Sequence, residues 1–217
     1  MWSKKEPVIL WTTAYAPLLL LMIGGFLYRN ELLPAALRED NAARIFGGRT
    51  WIAETLFLLA VLLLSLALYR LVIRLLLRPA VKRLAAGTTG RLYAVRRFEK
   101  LPASDYTFFL MTLLLPRLAL DYSSVANFAV SLLMVVFIIA VFVRTDTLAT
   151  CPLFFVSGLQ VFKSTISEHS LEEEKADEGL RKEVVLLARE KDLDLGEKYR
   201  AVRLAGKVYV VLKAGRS

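Results

Sequence analysis

The sequence predicts a mainly α membrane protein, with four transmembrane helices and a small C-terminal β-rich cytoplasmic domain. Three observations predict this fold class. The chain of 217 residues is 56% hydrophobic with a mean hydropathy of +0.50, which is more apolar than a soluble domain of this size. It contains charge-free runs long enough to cross a hydrocarbon core of about 30 Å, which takes roughly 20 helical residues. After residue 163 it becomes charged and carries short alternating segments typical of strands.

Four segments are predicted to span the membrane, at residues 8–28, 51–77, 105–121 and 124–144. The charge-free run at 8–28 has 21 residues and the one at 125–143 has 19. Pro17 predicts a kink in the first span. The first run is longer than the apolar core of a signal peptide and no small-residue cleavage site follows it, so we expect it to stay in the mature protein. The third span is the shortest and contains Pro116 and Arg117.

The distribution of basic residues predicts the orientation. Residues 78–100 contain seven Lys and Arg residues and the turn at 122–124 contains none, so the positive-inside rule places the 78–100 loop in the cytoplasm. With four spans, both termini then lie in the cytoplasm. Residues 144–217 carry 13 basic and 12 acidic residues, so +8 of the net charge of +9 belongs to the membrane part. This pattern favours positive-inside bias and attraction to anionic lipid over binding of nucleic acid.

Two sets of charged residues lie within or beside the spans. Arg70, Arg74 and Arg78 follow the second span at intervals of four, which lines them on one helical face. They either reach lipid phosphates at the inner interface or face a water-filled vestibule between subunits. Arg117 and Asp121 are also four residues apart, which predicts an intramembrane pair on one face of the third span.

The chain is predicted to divide into a transmembrane domain at residues 1–147 and a cytoplasmic β-rich domain at 148–217. Segments 153–165, 184–188, 199–204 and 208–213 are expected to be strands, and the last two flank Gly206 as a β-hairpin. Residues 167–183 are expected to form a loop or a short helix whose acidic side chains are solvated. A domain with only these strands can bury only a small hydrophobic core by itself. We therefore expect it to pack on the 78–100 loop, on a neighbouring subunit or on a partner.

No set of residues predicts catalysis. Cys151 is the one cysteine and His169 the one histidine, which leaves no disulfide and almost no soft metal ligands. The sequence has no phosphate-binding glycine loop, HExxH or GxSxG motif. We therefore expect no catalytic residue, no metal site and no cofactor. Cys151 is expected to be buried, and His169 to lie in a solvated loop.

The last span leads into the tail through residues 144–163, here called the join. Within it, Thr-Cys-Pro-Leu at 150–153 and Gly-Leu-Gln-Val-Phe-Lys at 158–163 resemble the Asn-Pro-Leu, Gly-Tyr, aromatic, basic signature of the membrane subunit of the Kiwa anti-phage defence system, the KwaA-like proteins. Ala-Tyr-Ala-Pro-Leu at 14–18, the hairpin beginning near Tyr106 and the closing segment 208–213 fit the same family. Cys151 stands where asparagine is expected, and Leu159-Gln160 replace the glycine–tyrosine pair.

The resemblance implies a non-enzymatic subunit of the bacterial inner membrane, with several spans, that assembles as a homo-oligomer, a tetramer. Such subunits are expected to sense infection at the membrane and to engage a soluble DNA-binding effector through their cytoplasmic part, binding no DNA themselves. The join then acts as a coupling element. The residues expected at a partner or oligomer interface are Pro152, Gly158, Val161, Phe162, Lys163 and Tyr209. The alternative function is a small homo-oligomeric membrane channel.

Overall fold

The computed structural model describes residues 2–3, 5–30, 32, 50–102, 104, 106–107, 109–112, 124–145, 147–195 and 197–214. Its helices in these ranges are α1 (Lys5–Ala14), α2 (Ala16–Arg29), α3 (Thr50–Ala85), α4 (Val125–Arg144), α5 (Leu153–Val156) and α6 (Leu171–Ala176), with 3-10 turns at Thr147–Thr150 and Glu178–Leu180. Its strands are β1 (Arg91–Lys100), β2 (Gln160–Ser167), β3 (Lys182–Ala188), β4 (Lys198–Ala205) and β5 (Val208–Lys213).

The first predicted span is a pair of helices, α1 and α2, bent by 57° at Tyr15. Pro17 lies in the first turn of α2, where a residue without a backbone N–H is tolerated. A proline at this position cannot continue a helix from α1, because it lacks the N–H that would bond to the preceding turn. The hydroxyl of Tyr69 donates a hydrogen bond of 2.8 Å to the carbonyl of Ala14, which lies at the break. The kink expected from Pro17 is therefore confirmed.

Two helices, α3 and α4, are each long and apolar enough to cross a membrane, and the bent pair α1–α2 adds a third if it forms one span. Large side chains such as Leu63, Leu133 and Phe137 are exposed along them, as expected for helices that face lipid. The predicted third span at 105–121 falls mostly outside the described residues, as do Arg117 and Asp121. The structure thus supports two to three apolar spans, and the predicted total of four is not established by it.

Helix α3 continues well past the predicted end of the second span. Its 36 residues give a length of about 54 Å, against a hydrocarbon core of about 30 Å. The helix is therefore longer than one crossing requires, and its C-terminal part packs on strands β4 and β5.

The five strands form one closed barrel in the order β1-β2-β3-β5-β4, with β4 pairing back to β1. All pairs are antiparallel except β3 and β5, which are parallel. This is the topology of an OB-type barrel, a five-stranded Greek-key architecture. The connection between β1 and β2, a loop in a simple barrel of this kind, here contains α4 and the join.

Strand β1 was expected to be part of a basic loop, and its position is the main difference from the sequence interpretation. Tyr93 and Val95 point into the barrel, but Arg96, Arg97 and the charged residues that follow obscure the alternation. Strand β1 closes the barrel, because it pairs with both β2 and β4 and leaves the sheet without an open edge. One strand of the barrel thus lies N-terminal to the predicted domain boundary at 147/148.

The rest of the tail follows the sequence more closely. Strands β4 and β5 form the expected hairpin, with Val202 opposite Val210 and Gly206 at φ 51° in the turn. The apolar segment at 153–165 is not one strand: it forms α5, turns at Gly158 with φ 73°, and enters β2 at Gln160. Helix α6 begins with a capping box between Ser170 and Glu173, a local signal for a short helix.

Candidate functional site

The join is buried between the helices and the barrel. Cys151, Leu153 and Phe154 are fully buried, and Leu148 is 7% exposed. These side chains belong to one apolar cluster that continues from the membrane helices to the outer wall of the barrel. We call this cluster the helix–barrel contact; its members include Trp11, Phe142, Ile73, Leu77, Leu84, Cys151, Phe154, Leu187, Leu204, Val208 and Val210.

On the membrane side, aromatic rings connect α1 to α4. The ring of Trp11 stacks on that of Phe142, and Tyr15 meets Phe109 edge-on at 5.4 Å between centroids. The hydroxyls of Tyr15 and Thr112 share a hydrogen bond of 2.5 Å inside the protein. The break between α1 and α2 is thus packed against the end of α4, directly above the join.

On the barrel side, the outer wall formed by β3 and β5 is apolar. The register pairs Val185 with Val208 and Leu187 with Val210, all outside the barrel, whereas Leu186 lies inside it. An outward apolar row on a strand is explained by a covering element, and α3 packs on β5 and its neighbour β4. The two faces of these strands therefore belong to two different cores.

The predicted interface residues do not form one surface. Phe162 is fully buried inside the barrel, edge-on to Phe98, and Val161 is 6% exposed in the helix–barrel contact. Tyr209 is half-buried and packs on Tyr93, and Pro152 is half-buried in the join. Only Gly158 and Lys163 of the six are exposed. A role of these residues in binding a partner stays a prediction.

The predicted basic row on α3 is exposed. Arg70, Arg74 and Arg78 make no ion pair with the acidic residues of the described ranges, and Lys82 continues the row by one more step of four. Arg70 lies about 20 residues after the start of α3, near the point where a helix leaves a core of about 30 Å. If α3 enters a membrane near Thr50, the row begins at the level of the lipid headgroups.

Glu174 is a buried carboxylate that the sequence interpretation assigned to a solvated run. It is fully buried and accepts hydrogen bonds of 2.8 Å from Arg96 Nε and 3.2 Å from Arg181 Nε. Burial raises its pKa, but hydrogen bonds from Arg96, Ser167 and Arg181 outweigh this and hold the pKa below its usual value. The Ser-x-x-Glu pattern at 170–173 is a local signal that could have predicted α6, but burial of this one acid depends on Arg96 of distant β1.

Cys151 and His169 lie where the sequence predicted. Burial raises the pKa of the Cys151 thiol to about 12, so it is inert near neutral pH. The ring of His169 is about half exposed, with Nδ1 3.3 Å from a carboxylate oxygen of Glu173. Within the described ranges, no three His, Cys, Asp or Glu side chains are grouped as metal ligands.

Comparison with known proteins places almost the whole chain in one family. The model of the family described as "Anti-phage protein KwaA" matches residues 7–210, which include all the helices and strands described above except the first two residues of α1 and the last three of β5. No match was found among curated proteins or among solved structures.

Proposed function

Since the chain belongs to the KwaA family of anti-phage proteins, we propose that it serves antiviral defence as a non-enzymatic membrane sensor and scaffold. In this proposal, infection changes the packing of the membrane helices, and the join passes that change to the barrel. The barrel recruits or regulates a soluble DNA-binding effector. The family establishes the defence role, and the sensing mechanism and the effector are our inference.

The observation that carries the proposal is the continuous helix–barrel contact. Trp11 of α1, Phe154 of the join and Val210 of β5 belong to the same buried cluster. Protein interiors are close-packed, so a shift of one member displaces its neighbours. A movement of α1 or α4 is therefore expected to reach the barrel through packed side chains, without a flexible linker between them.

The barrel also supports a topology with both termini in the cytoplasm. The backbone N–H of Trp2 donates a hydrogen bond of 2.7 Å to the carbonyl of Leu204, so the N-terminus lies beside β4. Strands β1 and β2 pair in one barrel, which requires an even number of membrane crossings between them. If α4 crosses once, this pairing favours a second crossing between β1 and α4, in line with the predicted third span in a bacterial inner membrane.

The exposed wall of β1 and β2 supports a protein partner rather than DNA. Glu99 lies opposite Lys163 in the register, and Arg97 lies opposite Thr165, so charges of both signs are interspersed. Binding to a nucleic-acid backbone is dominated by basic residues that neutralise phosphates. We therefore infer that this chain does not bind DNA directly and that a homo-oligomer, a tetramer by family resemblance, presents several such walls.

A flexible Gly-Ser insertion after Thr147 tests the coupling. Phage plating on bacteria that carry the complete defence system should show loss of protection, while the protein still reaches the membrane and still retains its soluble partner in a pull-down. The same insertion after Lys191, in an exposed turn of the barrel, is the control and should leave protection intact. Full protection with the insertion after Thr147 and with the partner bound would show that rigid coupling is not used.

The alternative function is a small homo-oligomeric channel. It is favoured by the exposed row Arg70, Arg74 and Arg78 and by the 57° break between α1 and α2, since broken helices occur where a membrane protein lines a polar path. Planar-bilayer recordings on the folded oligomer test it. Currents that change when Arg74→Gln is introduced would support a channel, and silent bilayers would exclude it under those conditions.

A further inference from the structure

An open groove of about 750 Å³ lies where the N-terminal segment, α3 and one end of the barrel meet. Trp2 and Glu6 form one wall, Pro79 and Arg83 of α3 form the second, and β1 and β4 form the third. The volume is within the range of about 300–1,000 Å³ that is usual for small-molecule sites. The groove lies on a different face of α3 from the row that begins at Arg70.

The groove is positively charged. Its lining includes four basic residues and two acidic ones, a net charge of +2: Arg83, Arg91, Lys182, Arg203, Glu6 and Glu168. Glu168 lies between two of the cations, 3.5 Å from Arg91 Nη1 and 3.7 Å from Lys182 Nζ. Burial raises the pKa of Glu168, but Tyr93, Arg91 and Lys182 outweigh it and hold the pKa low, so this acid stays charged and is already neutralised.

Two arginines in the groove are not neutralised by a carboxylate in the described ranges. Arg203 donates from Nε to the carbonyl of Gly206 at 2.7 Å, which orients the guanidinium and leaves its two terminal nitrogens for another acceptor. Arg83, in the last turn of α3, is exposed and forms the facing side of the groove. Each guanidinium carries planar N–H donors that suit the oxygens of a phosphate group.

The turn that connects Arg83 to Arg91 packs closely on the barrel. Gly90 has φ 104°, and a Cβ at this position would lie 3.0 Å from the carbonyl oxygen of Ala201 and 2.9 Å from Cγ of Arg200. The turn before β1 is therefore in close contact with β4, and Leu84 of α3 packs on the same point, 3.1 Å from that Cβ. This packing brings the end of α3, which carries Arg83, beside the barrel before a ligand arrives.

The depth of the groove follows from the length of α3. If α3 enters the membrane near Thr50, it leaves a core of about 30 Å after about 20 residues. Leu75, at the end of the groove nearest the membrane, is then about 8 Å beyond the hydrocarbon boundary and Pro79 about 14 Å, whereas the headgroup layer is about 5–8 Å thick. A soluble compound can therefore enter the groove from the water, and a lipid headgroup can enter it from the end near Leu75.

We propose that this groove binds a phosphate group through Arg83 and Arg203, supplied either by an anionic lipid headgroup or by a soluble phosphate compound. The proposal does not depend on the sensing function. A phosphate in this position would connect α3 to β4 by two guanidiniums, and so would stabilise the contact between the membrane helices and the barrel.

The test uses the full-length protein with Arg83→Gln and Arg203→Gln combined. The control is Arg97→Gln with Arg189→Gln, two exposed arginines outside the groove that change the net charge equally. In one arm, native mass spectrometry measures phosphatidylglycerol bound to the purified protein. Both variants keep Arg70, Arg74 and Arg78, so lipid bound at that row contributes equally to the two measurements. In the other arm, equilibrium dialysis measures ATP and inorganic phosphate bound to protein in phosphatidylcholine nanodiscs.

Loss of two charge-assisted contacts should weaken binding at least tenfold, that is by roughly 1.4 kcal/mol or more. If only the groove variant loses phosphatidylglycerol binding in the first arm, the ligand of the groove is a lipid headgroup. If only the groove variant loses binding of ATP or inorganic phosphate in the second arm, the ligand is a soluble phosphate compound. The proposal is overturned if neither arm detects binding by the wild-type protein, or if the groove and control variants bind equally.

Discussion

The indole ring of Trp11 stacks on the ring of Phe142, with centroids 4.2 Å apart and planes 14° from parallel. These residues belong to α1 and to the last turn of α4, so the contact connects the first helix to the helix that leads into the join. Trp11→Ala removes a fully buried ring and should lower the free energy of unfolding by about 3–5 kcal/mol. A thermal melt of the protein in detergent should show a clearly lower midpoint.

Trp51→Ala is the matched control for this substitution. Trp51 is 62% exposed at the start of α3, so removing its ring leaves no cavity. Its midpoint should stay close to that of the wild-type protein. Equal shifts for the two variants would mean that the stacked pair is not important for the helix–barrel contact.

Glu174→Gln should destabilise the barrel by about 3 kcal/mol, because it removes the charge between Arg96 and Arg181 in a buried site. A carboxylate whose folded pKa is lowered contributes stability that is present above its unfolded pKa and is lost as the pH falls through the folded value. The difference in melting midpoint between the wild type and this variant should therefore be constant near neutral pH and shrink below about pH 4.

Glu172→Gln serves as the control for Glu174→Gln. Glu172 lies on the same helix α6 and is exposed, so its substitution should change the midpoint little at any pH. A pH-independent difference between wild type and Glu174→Gln would show that the buried carboxylate acts through its shape rather than its charge.

Gly90→Ala should destabilise the barrel more than Gly158→Ala. Both glycines have positive φ, but a Cβ at Gly90 meets the backbone of Ala201 and one at Gly158 meets nothing within 4 Å. We expect about 1 kcal/mol for Gly158→Ala from backbone strain alone and about 2 kcal/mol or more for Gly90→Ala. Chemical denaturation of both variants in one detergent gives the comparison, and the reverse order would contradict the close packing of the turn before β1 on β4.

Cys151 should resist maleimide in the folded protein. Its thiol is fully buried and has a pKa of about 12, so neither access nor thiolate is available near neutral pH. Labelling should become fast after denaturation. The Gly-Ser insertion after Thr147 should also raise the labelling rate, since it loosens the join.

Lys163→Cys in a Cys151→Ala background provides the positive control for labelling. Lys163 is exposed on β2, so the introduced thiol should react at once in the folded protein. Fast labelling of the native Cys151 in the intact protein would show that the join opens readily and would contradict a rigid contact.

Replacing Arg70, Arg74 and Arg78 together by Gln should weaken the preference of the protein for anionic lipid. Each basic residue near a membrane surface contributes about 1 kcal/mol, so the triple variant should lose up to roughly a hundredfold in affinity. Lipid competition measured in nanodiscs at low salt tests this, and the difference should shrink at high salt because exposed charges are screened.

A triple substitution on the barrel controls for the change in net charge. Arg97, Arg189 and Lys191 are exposed and lie on the barrel, away from the predicted headgroup level. Replacing them by Gln should leave the lipid preference unchanged. An equal loss in the two triple variants would mean that total charge, rather than the row on α3, attracts the lipid.

The predicted interface set shows why the site was harder to predict than the fold. Neighbours in β2 point to opposite sides, so Phe162 belongs to the barrel interior and Val161 to the helix–barrel contact. The family pattern marked these positions, but a pattern of residues does not say which side of a strand is covered. The groove at Arg83 and Arg203 was not predicted, because its residues come from three separate segments of the chain.

The sequence alone determined the features that depend on near neighbours. The apolar runs of α3 and α4, the kink at Pro17 and the β4–β5 hairpin around Gly206 each follow from residues within a few positions of one another, so propensity and periodicity were sufficient. Tertiary structure decided the rest. Strand β1 is stable only because β2 and β4 pair with it, and Glu174 is buried only because Arg96 reaches it from that strand. Such pairings are set by free energies of packing and ion pairing between distant segments, which no local pattern contains.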